Sequence, residues 1–289
     1  MPKKFGTFFM INFNGTFSEN NQLLTPENRG YSYGDALFET IKVSYGKVLF
    51  LEDHYFRLMA SMRILRMEIP MTFTMEFIEA EVLKTVERNN LQKASARVKI
   101  QVHRNSGGLY LPTNKEVTYI ISAKAIDNDF YLLNDNAYIV DLFKDFYVAP
   151  GLLSTLKTNN KAINVVGSVF AKENDLHNCL LLNTNKNVVE ALNGNLFLVK
   201  GNSIKTPPIT DGCLKGIMRQ QIINILELLP DYTLDEASIS PFELQKADEL
   251  FTTNVIQGIQ PITNYRKKEF KNEVSKMLLQ KINIKVRLG

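Results

Sequence analysis

Five polar features of the chain have residue types and placements that could do chemistry. Lys157, in "STLKTNNKAIN", follows the apolar, turn-flanked run "YVAPGLLSTL" and precedes a polar one. Glu190 lies in "NVVEALNGNLFLV", among strands otherwise built of Val, Leu and Phe. A carboxylate there either faces solvent at a strand end or pairs with a cation, because an unpaired buried charge is expensive. Gly216, in "DGCLKGIMRQQ", precedes a helical pattern whose first amides, from Ile217 and Met218, could take a phosphate or simply start a helix. Thr252, Thr253 and Asn254 form a polar island at the end of an apolar strand, either an anion cradle or an ordinary turn. Arg57 lies off the apolar stripe of its helix, where a solvated arginine is the default and a ligand role the alternative.

The elements that must hold these residues read as α+β. In the first part, "FFMINFNG" and, after the Tyr45-Gly46 turn, "KVLFL" read as strands. "EDHYFRLMASMRIL" places Tyr55, Leu58, Met59, Met62 and Leu65 on one helical stripe. "ARVKIQV" alternates Val98, Ile100 and Val102 as a half-buried strand, and "VTYIISA" supplies another. The Asn- and Asp-rich "KAIDNDFYLLNDN" breaks the pattern and sets a linker at 123–131, between a small domain at 1–122 and a larger one at 132–289. The larger domain opens with the strand "AYIVDLF" and the helix "NVVGSVFAKEND", followed by the short strands "CLLLN", "NVVEA", "NLFLVKG" and "SIKTPP". "KGIMRQQIINILELL" is helical, with Met218, Ile222, Ile225, Leu226 and Leu229 as its stripe. "SPFELQKADELF" is a short helix leading into "FTTNVIQGIQPI".

Composition narrows the function classes. The 289 residues exceed the usual size of one domain, and 45% hydrophobic content is ample for a core. A net charge of +4, from 34 basic and 30 acidic residues with no clustering, argues against nucleic-acid binding. Cys179 and Cys213 lack metal-ligand spacing, and His54, His103 and His177 are scattered, so no zinc site or disulfide framework is expected. Asn12 and Asn14 interrupt the apolar N-terminal run, which favours a strand over a signal peptide. With no apolar stretch of bilayer length, a soluble, cytoplasmic protein without membrane partners is expected.

Taken together, Lys157, "VVEALNGNLF", "TPPITDGCLKGIMRQ" and "ADELFTTNVIQGIQPI" resemble, in order, the class IV aminotransferases, the fold-type IV pyridoxal-phosphate enzymes. "NRGYSYGDALFETIKVSYGKVLFLEDHYFRLMAS" looks like the N-terminal signature of that family. The resemblance covers about residue 10 to 265. It implies a two-domain fold like that of D-amino-acid aminotransferase: a small α/β N-terminal domain and a C-terminal bent sheet or pseudo-barrel, with pyridoxal 5'-phosphate between them in a homodimer. It also implies roles. Lys157 would hold the cofactor's aldehyde and shuttle the substrate proton, which needs an amine kept deprotonated by burial and nearby cations. Glu190 would face the pyridine nitrogen, and Arg57 would reach the phosphate. Ile217 and Met218 would add backbone amides, Asn254 and Val255 would complete the cradle, and Leu214 would pack on the ring. Tyr33 and Phe38 match positions lining the substrate pocket, or else are core.

Within the family, the resemblance leans towards 4-amino-4-deoxychorismate lyase, which would release pyruvate and p-aminobenzoate from its small amino substrate. Met218 stands where transaminases usually carry threonine, and Asn254 where they more often show a Gly-Thr pair. "HRNSGGLY" resembles the lyase's Arg-x-Ser-Gly-Gly segment and would put Arg104 at the active-site mouth, suited to an anionic substrate. Against this, Leu109 falls where that segment often has a further arginine. Lys161-Ala162 replaces the Asn-Tyr pair of many branched-chain enzymes, which counts against that subgroup and leaves no tyrosine assigned to the cofactor's phenolic oxygen. An amino-acid transaminase, of D-amino-acid or branched-chain type, is the alternative, and a non-catalytic binding protein on the same scaffold is a remote one.

Overall fold

In chain order, β1 (Ile11–Phe13), β2 (Thr16–Ser18), α1 (Arg29–Tyr33), β3 (Ala36–Ser44), β4 (Lys47–Val48), α2 (Leu51–Ile64), α3 (Met75–Arg88), β5 (Ser95–Arg104) and β6 (Val117–Ile126) build the first part of the molecule. This is a computed structural model describing residues 9–19 and 24–288; the start of the expected "FFMINFNG" strand lies outside the described residues. The chain divides into two units, Met1–Asp129 with Lys157–Asn160, and Phe130–Leu156 with Lys161–Gly289.

The first unit is a six-stranded sheet in the order β2-β1-β6-β5-β3-β4, antiparallel throughout. Its inner face follows from period-2 alternation: Ala96, Val98, Ile100 and Val102 of β5 are all buried, beside Leu37, Ile41 and Val43 of β3. Leu58, Met59 and Met62 of α2 and Ile78, Val82 and Val86 of α3 are buried with them. Tyr45 and Gly46 both take positive φ, 47° and 75°, the two-residue turn whose twist suits a hairpin. The "KVLFL" strand is shorter than expected, because β4 ends at Val48 and α2 already begins at Leu51. The expected linker also starts later, since β6 runs on to Ile126, paired residue by residue with β5. Asn- and Asp-rich composition marked the chain break, but ladder pairing decided where it begins.

The second unit comprises β7 (Ile139–Val148), α4 (Ala162–Glu173), β8 (Asn178–Asn183), β9 (Val188–Ala191), β10 (Gly194–Lys200), β11 (Ser203–Thr206), α5 (Ile217–Leu226), β12 (Thr233–Glu236), α6 (Pro241–Lys246), β13 (Glu249–Asn254), β14 (Gly258–Ile262), β15 (Asn264–Tyr265), β16 (Lys268–Glu269) and α7 (Glu273–Leu288). Its ten strands form one mixed sheet, with parallel pairing at β7–β8, β7–β15 and β11–β12. The sheet forks at β10, which pairs with β9 at its start, β11 at its end and β13 along its length. One core gathers Val140, Leu180, Leu196, Leu198, Leu250 and Ile262; another gathers Phe143, Cys179, Leu181, Val189 and Cys213. Residues 157–160 were expected in this larger domain. Instead they cluster with the first unit, because Thr158 bridges to Leu37 and the Phe38 and Asn159 amides donate to Lys157 and Ala36 carbonyls. No helix among the described residues is long and apolar enough to cross a membrane.

Candidate active site

The second unit lines up one row of polar side chains across three strands. Glu190 on β9 sits opposite Asn195 on β10, and Asn195 sits opposite Thr253 on β13. Directly paired residues of antiparallel strands share a face, so these three side chains stand side by side. The loop before α5 is fastened over the row at both sides of one residue: the Leu214 N–H donates to Glu190 Oε2 at 2.9 Å, and Asn195 Nδ2 donates to the Leu214 carbonyl at 2.8 Å. Glu190 is half-buried and hydrogen-bonded, which sets aside the solvent-facing reading. Beside it the Cys213 thiol is fully buried, and burial together with the Glu190 carboxylate pushes its pKa up to about 12, so it is no nucleophile.

Next to the row, α5 begins at Ile217 with Gly216 as its N-cap, leaving first-turn amides without intrahelical acceptors. Gly216 has ordinary φ, −73°, yet a Cβ there would lie 1.9 Å from Asn195 Oδ1. Glycine is therefore required for close approach rather than for backbone freedom. The Thr253 hydroxyl, on the same face as Asn195, is buried and has no hydrogen-bond partner. An orphaned buried hydroxyl is uncommon and needs an explanation. At the end of β13 the Asn254 side chain closes the turn, accepting from the Ile256 and Gln257 amides, while the Val255 carbonyl accepts from the Tyr131 hydroxyl. Glu190, Leu214, Ile217 and Met218 are thus brought together, and Asn254 and Val255 follow directly on Thr253.

Arg57, Tyr33, Phe38, Arg104 and Lys157 belong to the first unit. Lys157 Nζ lies 4.4 Å from the Phe38 ring centroid, and its strand-like segment is latched beside β3. That latch needs Gly34: φ is +65°, and a Cβ would meet Asn160 Oδ1 at 2.2 Å. Tyr33 ends α1 with the Arg29 guanidinium 4.9 Å from its ring centroid and the Tyr110 ring 5.8 Å away. Arg57 is not a solvated arginine, because its Nε donates to Glu39 Oε1 at 2.7 Å and its side chain is 11% exposed.

Arg104 departs from expectation. It is buried, donates through Nε and Nη2 to Asp35, and caps the carbonyls of Leu65 and Arg66. Its guanidinium is engaged as a staple between the end of α2 and the segment just before β3, where it was expected as an open cation at an active-site mouth. Sequence reasoning missed Asn195, Thr253 as an individual residue, and Glu39. Glu39 had a usable signal, a carboxylate inside the apolar run "ALFETIKV", the same mark that drew attention to Glu190.

Comparison with known proteins places this arrangement. Residues 36–265 match the model of the amino-transferase class IV family. A provisionally named branched-chain-amino-acid aminotransferase of Methanocaldococcus jannaschii is 30% identical over 276 residues, 94% of each chain. An aminodeoxychorismate lyase of Vibrio harveyi is 25% identical over 238 residues, 82% of this chain and 85% of that one. The branched-chain aminotransferase structure of Thermoproteus uzoniensis superposes with a TM-score of 0.84 at 22% identity, covering 94% of this chain and 93% of that one, a likeness of fold. A family model that spans most of the sequence, over a matching α+β fold, settles the class: the chain belongs to the class IV aminotransferase family.

Proposed function

We propose that the chain binds pyridoxal 5'-phosphate and uses it to convert 4-amino-4-deoxychorismate into p-aminobenzoate and pyruvate. The observation that carries the cofactor assignment is the row Glu190–Asn195–Thr253 with the start of α5 beside it. Two interstrand steps, roughly 10 Å, separate the strand that carries its carboxylate from the strand that carries its orphaned hydroxyl. A carboxylate at one end fits a protonatable ring nitrogen. A buried hydroxyl at the other end, with the first-turn amides of α5 beginning beside Asn195, fits a phosphate. When bound, the cofactor supplies an aldehyde for covalent capture of an amine and a ring that takes up the electron pair of a broken Cα–H bond.

The chain's own residues do the rest. Glu190, its Oε2 held by the Leu214 amide, keeps a proton on the ring nitrogen. Ile217, Met218 and Thr253 bind phosphate, joined by Arg57 and by the backbone at Asn254 and Val255. Leu214 lies against the ring, and Lys157 holds the cofactor and carries the substrate's Cα proton. Tyr33 and Phe38 line the substrate pocket, and a homodimer is the assembly this reading implies.

Met218 and Asn254 support the lyase over the transaminases. The 30% identical aminotransferase relative, and an Arg104 spent on Asp35, favour a transaminase as the second reading. The test is an incubation of cofactor-loaded protein with 4-amino-4-deoxychorismate and no keto acid, following both products. Equal amounts of p-aminobenzoate and pyruvate support the lyase. No product, with turnover of D- or L-amino acids and 2-oxoglutarate, overturns it for a transaminase.

A further inference from the structure

Beneath Arg57 lies a buried polar group that the proposed reaction does not use. Glu39 sits on the inner face of β3 between Leu37 and Ile41, where its neighbours on that strand face are apolar and fully buried. Its carboxylate takes Arg57 Nε on Oε1 and Arg57 Nη2 on Oε2, and His54 Nδ1 lies 2.7 Å from Oε2. His54 and Arg57 are three residues apart on α2, so one helix face delivers both groups to one carboxylate. An ionised carboxylate only accepts, so the His54 ring donates from Nδ1. That leaves Nε2 as a buried acceptor without a hydrogen-bond partner. A buried imidazole that forgoes one of its two hydrogen bonds is costly, and bare packing would be served as well by an apolar side chain.

We propose that Glu39 and His54 are positioning residues that aim Arg57 at the phosphate of the bound cofactor, an inference that rests on the phosphate role proposed for Arg57. Two-point contact through Nε and Nη2 fixes the plane and roll of the guanidinium, which one contact would leave free to swivel. His54 adds a third hydrogen bond to the same carboxylate, on Oε2, and so holds it against rotation. The three groups act as a unit in which Arg57 touches the ligand and the other two set its direction.

The experiment compares equilibrium binding of pyridoxal 5'-phosphate and of unphosphorylated pyridoxal to the full chain. The variants are Glu39→Gln, Glu39→Asp, His54→Asn and Arg57→Ala, each checked for folding by circular dichroism. Glu39→Asp keeps the charge but draws the carboxylate back by one methylene, so it tests direction even if Glu39→Gln does not fold. A positioning role predicts that Glu39→Asp and His54→Asn weaken the phosphorylated ligand about tenfold, while pyridoxal affinity moves less than about threefold, since roughly 1.4 kcal/mol is tenfold. Equal weakening of both ligands, or of neither, in folded variants overturns the proposal. If Arg57→Ala is itself indifferent to the phosphate, the Arg57 assignment fails and takes this inference with it. A phosphate-selective Arg57→Ala beside indifferent Glu39 and His54 variants overturns this inference alone.

Discussion

Thr253→Val should move stability and cofactor binding in opposite directions. The Thr253 hydroxyl is buried on the site face with no hydrogen-bond partner, and such a group costs about 1–3 kcal/mol. Valine keeps the branched shape and removes the orphan. Cofactor-free protein should therefore gain on the order of 1 kcal/mol, a rise of roughly 2–4 °C in Tm for a chain of this size. In the proposed loaded site the same hydroxyl would face a charged phosphate, and a hydrogen bond to a charged partner contributes about 1.5–3 kcal/mol. Its loss should raise the cofactor Kd roughly 10- to 150-fold. Thr252 provides an internal control. Its hydroxyl is also buried without a partner, but it is the neighbouring residue of the same strand and so points to the opposite face. Thr252→Val should raise the Tm and leave the Kd unchanged. Calorimetric melts of cofactor-free protein and a binding titration for both variants make the test. A Thr253→Val protein that melts lower, or binds the cofactor as tightly as the parent, would refute the placement of the phosphate. So would a Thr252→Val protein that loses affinity equally.

Three further outcomes follow from the geometry. Gly216→Ala should cost about 1–3 kcal/mol by driving a methyl into Asn195 Oδ1; in Gly216→Ala/Asn195→Ala the two costs should be clearly less than additive, as a thermodynamic cycle would report. Glu39 links stability to acid: burial alone would raise its pKa, but the Arg57 guanidinium and the His54 hydrogen bond outweigh burial and hold it at about 2. A depressed carboxylate stabilises the fold fully above its unfolded value near 4.5 and loses that contribution as pH falls through 2, so Glu39→Gln should flatten the acid limb of a stability-against-pH curve across that window. Arg104→Ala should destabilise by about 1–3 kcal/mol in denaturant titrations, because it strips hydrogen bonds from Asp35 and from the Leu65 and Arg66 carbonyls while Arg29 still pairs with Asp35. In whatever Arg104→Ala protein folds, KM for an anionic substrate should stay unchanged; a large KM effect without destabilisation would restore Arg104 to the active-site mouth.

Much of the fold was legible because local periodicity and burial report the same fact. The alternation in "ARVKIQV" and the stripes of "EDHYFRLMASMRIL" and "KGIMRQQIINILELL" became β5, α2 and α5, since a strand or helix with one apolar face has little choice about how to bury it. Lys157 and Glu190 also stood out, as a lysine at an apolar boundary and a carboxylate in an apolar strand. What sequence could not supply was register. Asn195 and Thr253 are ordinary polar residues until the pairing of β9, β10 and β13 places them in line with Glu190. Residues 157–160 read as part of the second domain because chain order carries no record of the bridge from Thr158 to Leu37. Arg57 read as a solvated arginine or a phosphate ligand and Arg104 as a cation at the active-site mouth, and only the fold brings up their partners, Glu39 for the first and Asp35 with two carbonyls for the second. Residue type fixes what a side chain can do, and spacing fixes which face of its own element it occupies. Which distant groups share that face is decided by long-range pairing, and that is a property of the folded chain alone.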